Sequence, residues 1–458
     1  MRHMSDESGV GATSPGRARQ NAIYTAGVFG DRPRVPADFA ELERRARAAM
    51  SERAWAYIAG GAGEGATMTA NRAAFARWEI VPRVLRDVSR RDLSVELFGH
   101  RLPAPVLFAP VGAGELARPD SDVLIGQAAA ELGVPYIFSN QGCSPMEETA
   151  AAMDAVRAGA PRWFQLYWST DDDLVTSLVR RAESMDAQAI VVTLDTTMLG
   201  WRPQDLNIGS LPFARAEGIA QYTSDPRFRD IVAARLAAPD RPAGPKVRVT
   251  RSAVAALASM ARRVPGSFLS NLRSPVPRES VQTFLDIYSR PSLNWDDIAG
   301  LCDRTELPVV LKGILHPDDA ARAVDIGVGG IVVSNHGGRQ VDGSISALDA
   351  LPGIAEAVRR RAHVLFDSGI RTGSDVYKAL ALGADAVCVG RPHMYGLAID
   401  GRDGARDAVA NIIAELDLTL GLAGQTSVSE LSPDVVRRAD CGCGQSSHTD
   451  RAPLSPTR

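Results

Sequence analysis

Short runs rich in β-branched and aromatic residues recur along the chain, separated by stretches with helical spacing. The runs are Pro105–Pro110, Pro135–Asn140, Arg162–Trp168, Ala189–Asp195, Leu307–Lys312, Gly330–Asn335, His363–Asp367 and Asp385–Gly390. They are nearly continuous in apolar character (VLFAP, AIVVTLD, GIVVSN), the mark of strands covered on both faces in a parallel sheet. Ser121–Leu132, Asp171–Ser184, Pro317–Ile326, Ala347–Arg361 and Gly373–Leu382 carry the helical period, several opening on Ser, Asp or Pro as helix starts do. Eight such units in order predict an α/β chain of one domain, a (β/α)8 TIM barrel, with its chemistry where the strands end. An open doubly wound sheet uses the same alternation and is the competing topology.

One interval breaks the rhythm. After Asp195 the next strand is delayed until Leu307, and the filler holds the proline clusters Pro239–Pro245 and Pro275–Pro277. A connection that long is a functional lid or an insertion with its own structure. It leaves from the strand-end face after strand 4, so residues 203–295 are expected to form a partly helical lid over the pocket. Residues 1–35 and 441–458 are rich in Gly, Ser, Pro and Arg without apolar periodicity and are expected to be disordered tails flanking a domain at 36–440. The stretch Gly60–Gly65 does not fit G-x-G-x-x-G and follows no strand, so a nicotinamide-type fingerprint is missing.

Hydrophobic residues make up 45% and charged residues 23% of the 458 residues, which excludes global disorder. The net charge of −3 gives no electrostatic footprint for nucleic acid or a membrane surface, so the expected partner is a small molecule. Five scattered cysteines and the lack of an apolar signal region or a long apolar run point to a cytoplasmic protein. Cys441, Cys443 and His448 make an incomplete ligand set, and no metal is expected. Of the 51 basic residues only Lys246, Lys312 and Lys378 are lysines, which makes Lys312, at the end of an apolar strand, conspicuous.

The strand ends supply chemically capable side chains in succession: Ser139, Gln165 with Tyr167, Thr193 with Asp195, Lys312, Asn335 with His336, Asp367, and Gly390 with Arg391. Polar strand ends often cap the next helix, but that role does not account for the whole set. In Ser334-Asn335-His336-Gly337-Gly338-Arg339-Gln340 the two glycines let the backbone turn a His and an Arg into one pocket. That pairing suits a neutral imidazole base beside a guanidinium fork for a carboxylate. Gly369, Arg371, Gly390 and Arg391 follow strands seven and eight, where this fold makes a phosphate site. With Lys312 they imply a phosphate-bearing cofactor with an electron-accepting ring.

SNHGGRQ at 334–340 together with DSGIRTGSDVYKALALGADAVCVGRP at 367–392 resembles the FMN-dependent α-hydroxy-acid oxidising family. The likeness runs from about Tyr57 to Leu431. YIAGGAGEG (57–65), RDLSVELFG (91–99), APVG (109–112), FQLYW (164–168), TLDTTMLGWRPQDL (193–206) and LKGILHPDDA (311–320) look most like its lactate 2-monooxygenase branch. The resemblance implies FMN as cofactor, a 2-hydroxy acid and O2 as reactants, and a homo-oligomer, a tetramer or octamer. It makes His336 the base, Asp195 its orienting carboxylate, and Arg339 and Arg202 with the Tyr57 hydroxyl the holders of the substrate carboxylate. Tyr167 would bond the substrate hydroxyl. Lys312 would lie beside the flavin N1/O2 edge, and Pro110, Gly112, Ser139, Gln165, Thr193 and Ser334 along the flavin and its ribityl chain. Asp367 would bond the ribityl hydroxyls, and Gly369, Arg371, Gly390 and Arg391 the phosphate. Gly112, where many oxidases of the family have alanine, implies that the keto acid is held and oxidatively decarboxylated. Gln141 and Thr197 depart from the apolar or Trp and Pro residues usual at their places. They point to a substrate with a polar or larger side chain than lactate. A simple 2-hydroxy-acid oxidase or dehydrogenase, a flavin-dependent isomerase and a non-catalytic flavoprotein are the alternative readings.

Overall fold

The computed structural model describes residues 14–239 and 248–439. Eight strands close into a barrel: β1 (Val106–Phe108), β2 (Tyr136–Phe138), β3 (Arg162–Leu166), β4 (Ile190–Thr193), β5 (Val309–Ile314), β6 (Gly330–Val333), β7 (His363–Phe366) and β8 (Ala386–Val389). Every neighbouring pair is parallel, and β8 closes on β1 through Val387 opposite Val106. Closure decides against the open sheet, and it leaves no strand edge unpaired.

The period of two partitions the strands between two cores. Leu107, Ile137, Trp163, Val191, Val310, Val332, Leu365 and Cys388 fill the barrel interior. Phe108, Phe138, Phe164, Val192, Leu311, Val333, Phe366 and Val389 face the surrounding helices. Both sets are apolar, which is why the strands read as continuous runs. Each fully buried large side chain among them contributes about 1.5–3 kcal/mol relative to exposure. The N-terminal mouth of the barrel is plugged by a hairpin pairing Val95–Leu97 with His100–Leu102, whose Leu97 and Leu102 join the interior core. Phe98 at its turn packs on Trp163 with ring centroids 5.4 Å apart. With that end filled, a ligand enters from the opposite one.

The expectation of a disordered tail over 1–35 is corrected from residue 14 onward. Pro15–Val28 is a helix with Pro at its first turn, lying on the C-terminal helical segment Arg391–Leu422, which is broken at Asp400 and Gly401. Polar contacts fix it: the Gly16 amide donates to Asp417 Oδ2 at 3.0 Å, and the Arg91 guanidinium grips the same fully buried carboxylate at 2.8 and 2.9 Å. A helix held this way needs no apolar stripe, so periodicity could not announce it. The tail at 441–458, with Cys441, Cys443 and His448, and Lys246 lie outside the described residues.

The 203–295 segment is built of short helices, among them Pro226–Ala237, Arg251–Arg263 and Val276–Ile287, the last opening within the cluster Pro275–Pro277. The other cluster lies almost wholly outside the described residues. The described part has an aromatic core of its own: Tyr222 meets Phe284 at 4.8 Å and Phe228 at 5.6 Å, and Phe213 meets Phe284 at 5.3 Å. No helix among the described residues is long and apolar enough to cross a membrane.

Candidate active site

One cavity opens at the C-terminal end of the barrel. Tyr57, Pro110, Gly112, Gln141, Tyr167, Thr193, Arg202 and Lys312 line it, as do His336, Arg339, Asp367, Gly369, Arg371, Gly390 and Arg391. Ser139, Gln165 and Ser334 are buried in the strand ends beside this lining, and Asp195 stands behind His336. The structure therefore brings every sequence-predicted site residue to one end of the barrel.

His336 sits just past β6 with its backbone in the left-handed region, φ +58°. Its Nδ1 is 2.8 Å from Asp195 Oδ1, and both side chains are largely buried. Burial holds the imidazole below its ordinary pKa against the opposing pull of Asp195, while Lys312 and Arg202 press the same way as burial. The ring is therefore neutral near neutral pH, with Nδ1–H donated to the carboxylate and Nε2 left as the basic atom.

Arg339 lies three residues further on, gripped by the backbone carbonyls of Tyr57 and Gly60 and stacked 5.1 Å over the Tyr57 ring. Arg202 enters from the segment after β4, donating to the Arg339 carbonyl at 3.1 Å and to Gln340 Oε1 at 2.7 Å. Gln340 also donates to the carbonyls of Asp195 and Met198, so one side chain fastens the β4 and β6 loops together. Burial and the neighbouring Arg202 pull the Arg339 pKa down to about 9. Two cations crowded in a buried site favour an anion between them, and a carboxylate meets both forks. Tyr57 and Tyr167 phenols are raised above their usual pKa, chiefly by burial, and act as hydrogen-bond donors.

A second cationic end lies across the cavity. Burial, with Arg391 nearby, pulls Arg371 down to about 10, and burial lowers Arg391 as well. Arg391 is held by the carbonyls of Gly60 at 2.9 Å and Gly337 at 3.1 Å, and Arg371 stacks 4.6 Å over Phe39. Between the two ends Lys312 makes an ion pair with Asp367 at 2.9 Å and donates to Ser334 at 2.8 Å. Burial alone would lower the Lys312 pKa, but Asp367 and Asp195 outweigh it and keep the ammonium charged.

The residues present fit a flavin mononucleotide. Gln165 Nε2, Thr193 Oγ1 and Arg391 Nε are buried polar atoms with no partner among the described residues, and they mark the path from strand ends to the second arginine pair. Buried donors left open are costly unless a ligand takes them. The arginine pair matches a phosphate, and the open amide and hydroxyl match a polar ring edge and polyol chain.

Sequence reasoning missed several members of the site. Phe213 and Tyr288 come from the insertion, and Met198 and Leu199 from the loop leading into it. Nothing in their spacing marks them, since only folding of the insertion brings them to the cavity. Asn140 Oδ1 accepts the Tyr167 amide at 2.9 Å, a positioning contact signalled only by its place at a strand end. Ser368 was inside a recognised segment without an assigned part.

A family model described as FMN-dependent dehydrogenase matches residues 46–438. The chain is 42% identical to an FMN-dependent alpha-hydroxy acid dehydrogenase of Penicillium citrinum, covering 92% of this chain and 95% of that protein. It is 40% identical to an L-lactate oxidase of Lysinibacillus sphaericus, covering 86% and 91%. The crystal structure of mandelate oxidase with (S)-4-hydroxymandelic acid superposes with a TM-score of 0.68 at 34% identity, covering 88% of this chain and 99% of that one.

Proposed function

The chain belongs to the FMN-dependent dehydrogenase family and is an FMN-dependent α-hydroxy-acid oxidoreductase; from that premise we propose that it oxidises, with O2, a 2-hydroxy acid bearing a hydrogen-bonding side chain, and decarboxylates the product before release. The observation that carries the oxidation chemistry is the His336 Nδ1 to Asp195 Oδ1 contact of 2.8 Å in a cavity whose facing wall is Arg339 and Arg202.

When bound, FMN supplies the two-electron acceptor. Arg339 and Arg202 hold the substrate carboxylate, which fixes the α-carbon in one orientation. Tyr167, kept protonated by burial, donates to the substrate hydroxyl oxygen. His336 Nε2 accepts a proton from the substrate, and the ionised Asp195 stabilises the imidazolium that results. Lys312 supplies fixed positive charge on the cavity floor, and Asp367 keeps it in place.

Two wall positions support the finer reading. Gln141 is 7% exposed and lines the cavity, so its side-chain amide is available to a ligand there. A polar amide in that wall favours a substrate that bonds it over one that cannot. Gly112 packs so closely that a Cβ there would meet Gln141 Cβ at 2.8 Å. Alanine, common in the oxidases of the family, is therefore excluded unless Gln141 moves, and glycine agrees with the resemblance to the decarboxylating branch. The overall change is RCH(OH)COO⁻ + O2 giving RCOO⁻ + CO2 + H2O.

Product analysis in air tests the outcome. The expected products are the shortened carboxylate and CO2; stoichiometric free keto acid and hydrogen peroxide leave a simple oxidase. A panel of 2-hydroxy acids tests the side chain: those with a hydroxyl, carbonyl or amide group should exceed lactate in kcat/KM, and lactate leading the panel would refute that part.

A further inference from the structure

Besides His336, a second residue of the site that is not glycine holds left-handed backbone: Ser368, at φ +76°. Such conformations disfavour a side chain and persist where the surroundings over-determine them. The two residues are joined. Ser368 Oγ accepts the amide of Gly337 at 2.9 Å and that of Asn335 at 3.2 Å, the neighbours of His336 on either side. It also lies 2.7 Å from Asp367 Oδ1, to which it donates. A hydroxyl has one proton and two lone pairs, so all three are used. Only 7% of the residue is exposed, so water is a poor substitute for any of these contacts.

The connection continues past Asp367. Its Oδ2 is 2.9 Å from Lys312 Nζ, Lys312 donates to Ser334 Oγ at 2.8 Å, and Ser334 Oγ accepts the amide of His336 itself at 3.0 Å. Three consecutive amides of the turn, at Asn335, His336 and Gly337, thus end on two serine hydroxyls, and both hydroxyls are tied to the Lys312–Asp367 pair. A glycine at 368 would take the same φ without steric cost and offer no hydroxyl.

We propose that Ser368 is a positioning residue for the oxidation: its hydroxyl holds the His336 turn in its left-handed form and fastens it to the Lys312–Asp367 pair, so that the base and the cation of the cavity floor are one rigid unit. This rests on the reading of His336 as the base. Asp367, relieved of its donor, would carry a less stabilised negative charge at the wall of the cavity that would hold the flavin, so loss of the contact would also lower the flavin potential.

The test uses the holoenzyme with Ser368→Gly, Ser368→Ala and His336→Asn, measuring anaerobic flavin reduction per bound FMN, its pH profile, and the FMN midpoint potential. The groups facing His336 in that profile are Asp195, Lys312 and Arg202. Both serine variants should slow reduction at saturating substrate by about tenfold or more, as expected when two buried amides lose their acceptor. Half-saturation by substrate should change less than about threefold, because the arginines are untouched. The acid limb should move, and the potential should fall. Ser368→Gly carries the decision if Ser368→Ala retains no FMN, since glycine adopts the backbone freely. A slow His336→Asn alongside serine variants that match the wild type in rate, pH limb and potential overturns the proposal alone, and reduces Ser368 to a loop contact. A His336→Asn that keeps the wild-type rate overturns the base reading and this inference with it.

Discussion

The two ends of the cavity are each lined by a pair of arginines, yet they are assembled differently. Arg371 and Arg391 come from the loops after β7 and β8, within the barrel's own repeat. Arg339 and Arg202 come together only because a helix before the barrel offers the carbonyls of Tyr57 and Gly60, and because the segment after β4 folds back onto Gln340. Around the first pair the walls are strand ends, with Gly60 and Phe39 of the segment before the barrel; around the second they include Phe213 and Tyr288 of the insertion. On the proposed reading, the difference puts the cofactor and the reacting groups on the scaffold and the recognition of substrate on segments added to it. Arg339, Arg371 and Arg391 are lowered in pKa chiefly by burial, so each end favours an anion.

The strongest blow to that division is aimed at its centre. His336→Asn should lower the rate of flavin reduction by about 10²–10⁴-fold, the usual worth of a positioned base, with FMN content unchanged; stopped-flow reduction under anaerobic conditions measures it. Next come the two arginine pairs. Arg339→Met should reduce kcat/KM for the 2-hydroxy acid by about 10²-fold through lost carboxylate binding, whereas Arg391→Met should show its loss in FMN retained after gel filtration. If the two variants exchanged phenotypes, the assignment of the two ends would be reversed.

The pH profile sharpens the same picture with a smaller effect. Burial lowers the His336 pKa from its ordinary 6.5, so the active neutral form prevails at pH 7 and is lost as pH falls through a value below 6.5. The acid limb of kcat/KM should lie there, and Asp195→Asn, which removes the one neighbour that raises this pKa, should move it lower still while reducing the plateau. The smallest effect concerns the added wall: Gln141→Leu should cost about tenfold in kcat/KM for a side chain that bonds the amide, and little for lactate, as one hydrogen bond is worth.

Much of the barrel was legible because its signal is local. Every strand predicted from an apolar run lies within a residue or two of an observed strand, since burial on both faces leaves the same mark on each. The strand-end residues followed from that register, and Lys312 stood out in a chain nearly without lysine. The helix Pro15–Val28 was not legible: it is held by a carboxylate four hundred residues away in sequence, Asp417, and contacts of that kind leave no period. Nor were Phe213 and Tyr288, whose approach to the cavity depends on how the insertion packs its own aromatic core.

By itself, then, the sequence determined the repeat, the closed barrel's chemistry-bearing end, and the side chains that must meet there, because hydrophobic alternation and strand-end position are properties of short segments. Only the tertiary structure decided which carbonyls pin Arg339, that Ser368 caps the left-handed turn of His336, and that Gln141 fills the space a side chain at residue 112 would need. Those are close approaches between segments remote in the chain, and their energies depend on tenths of an ångström that no local pattern encodes.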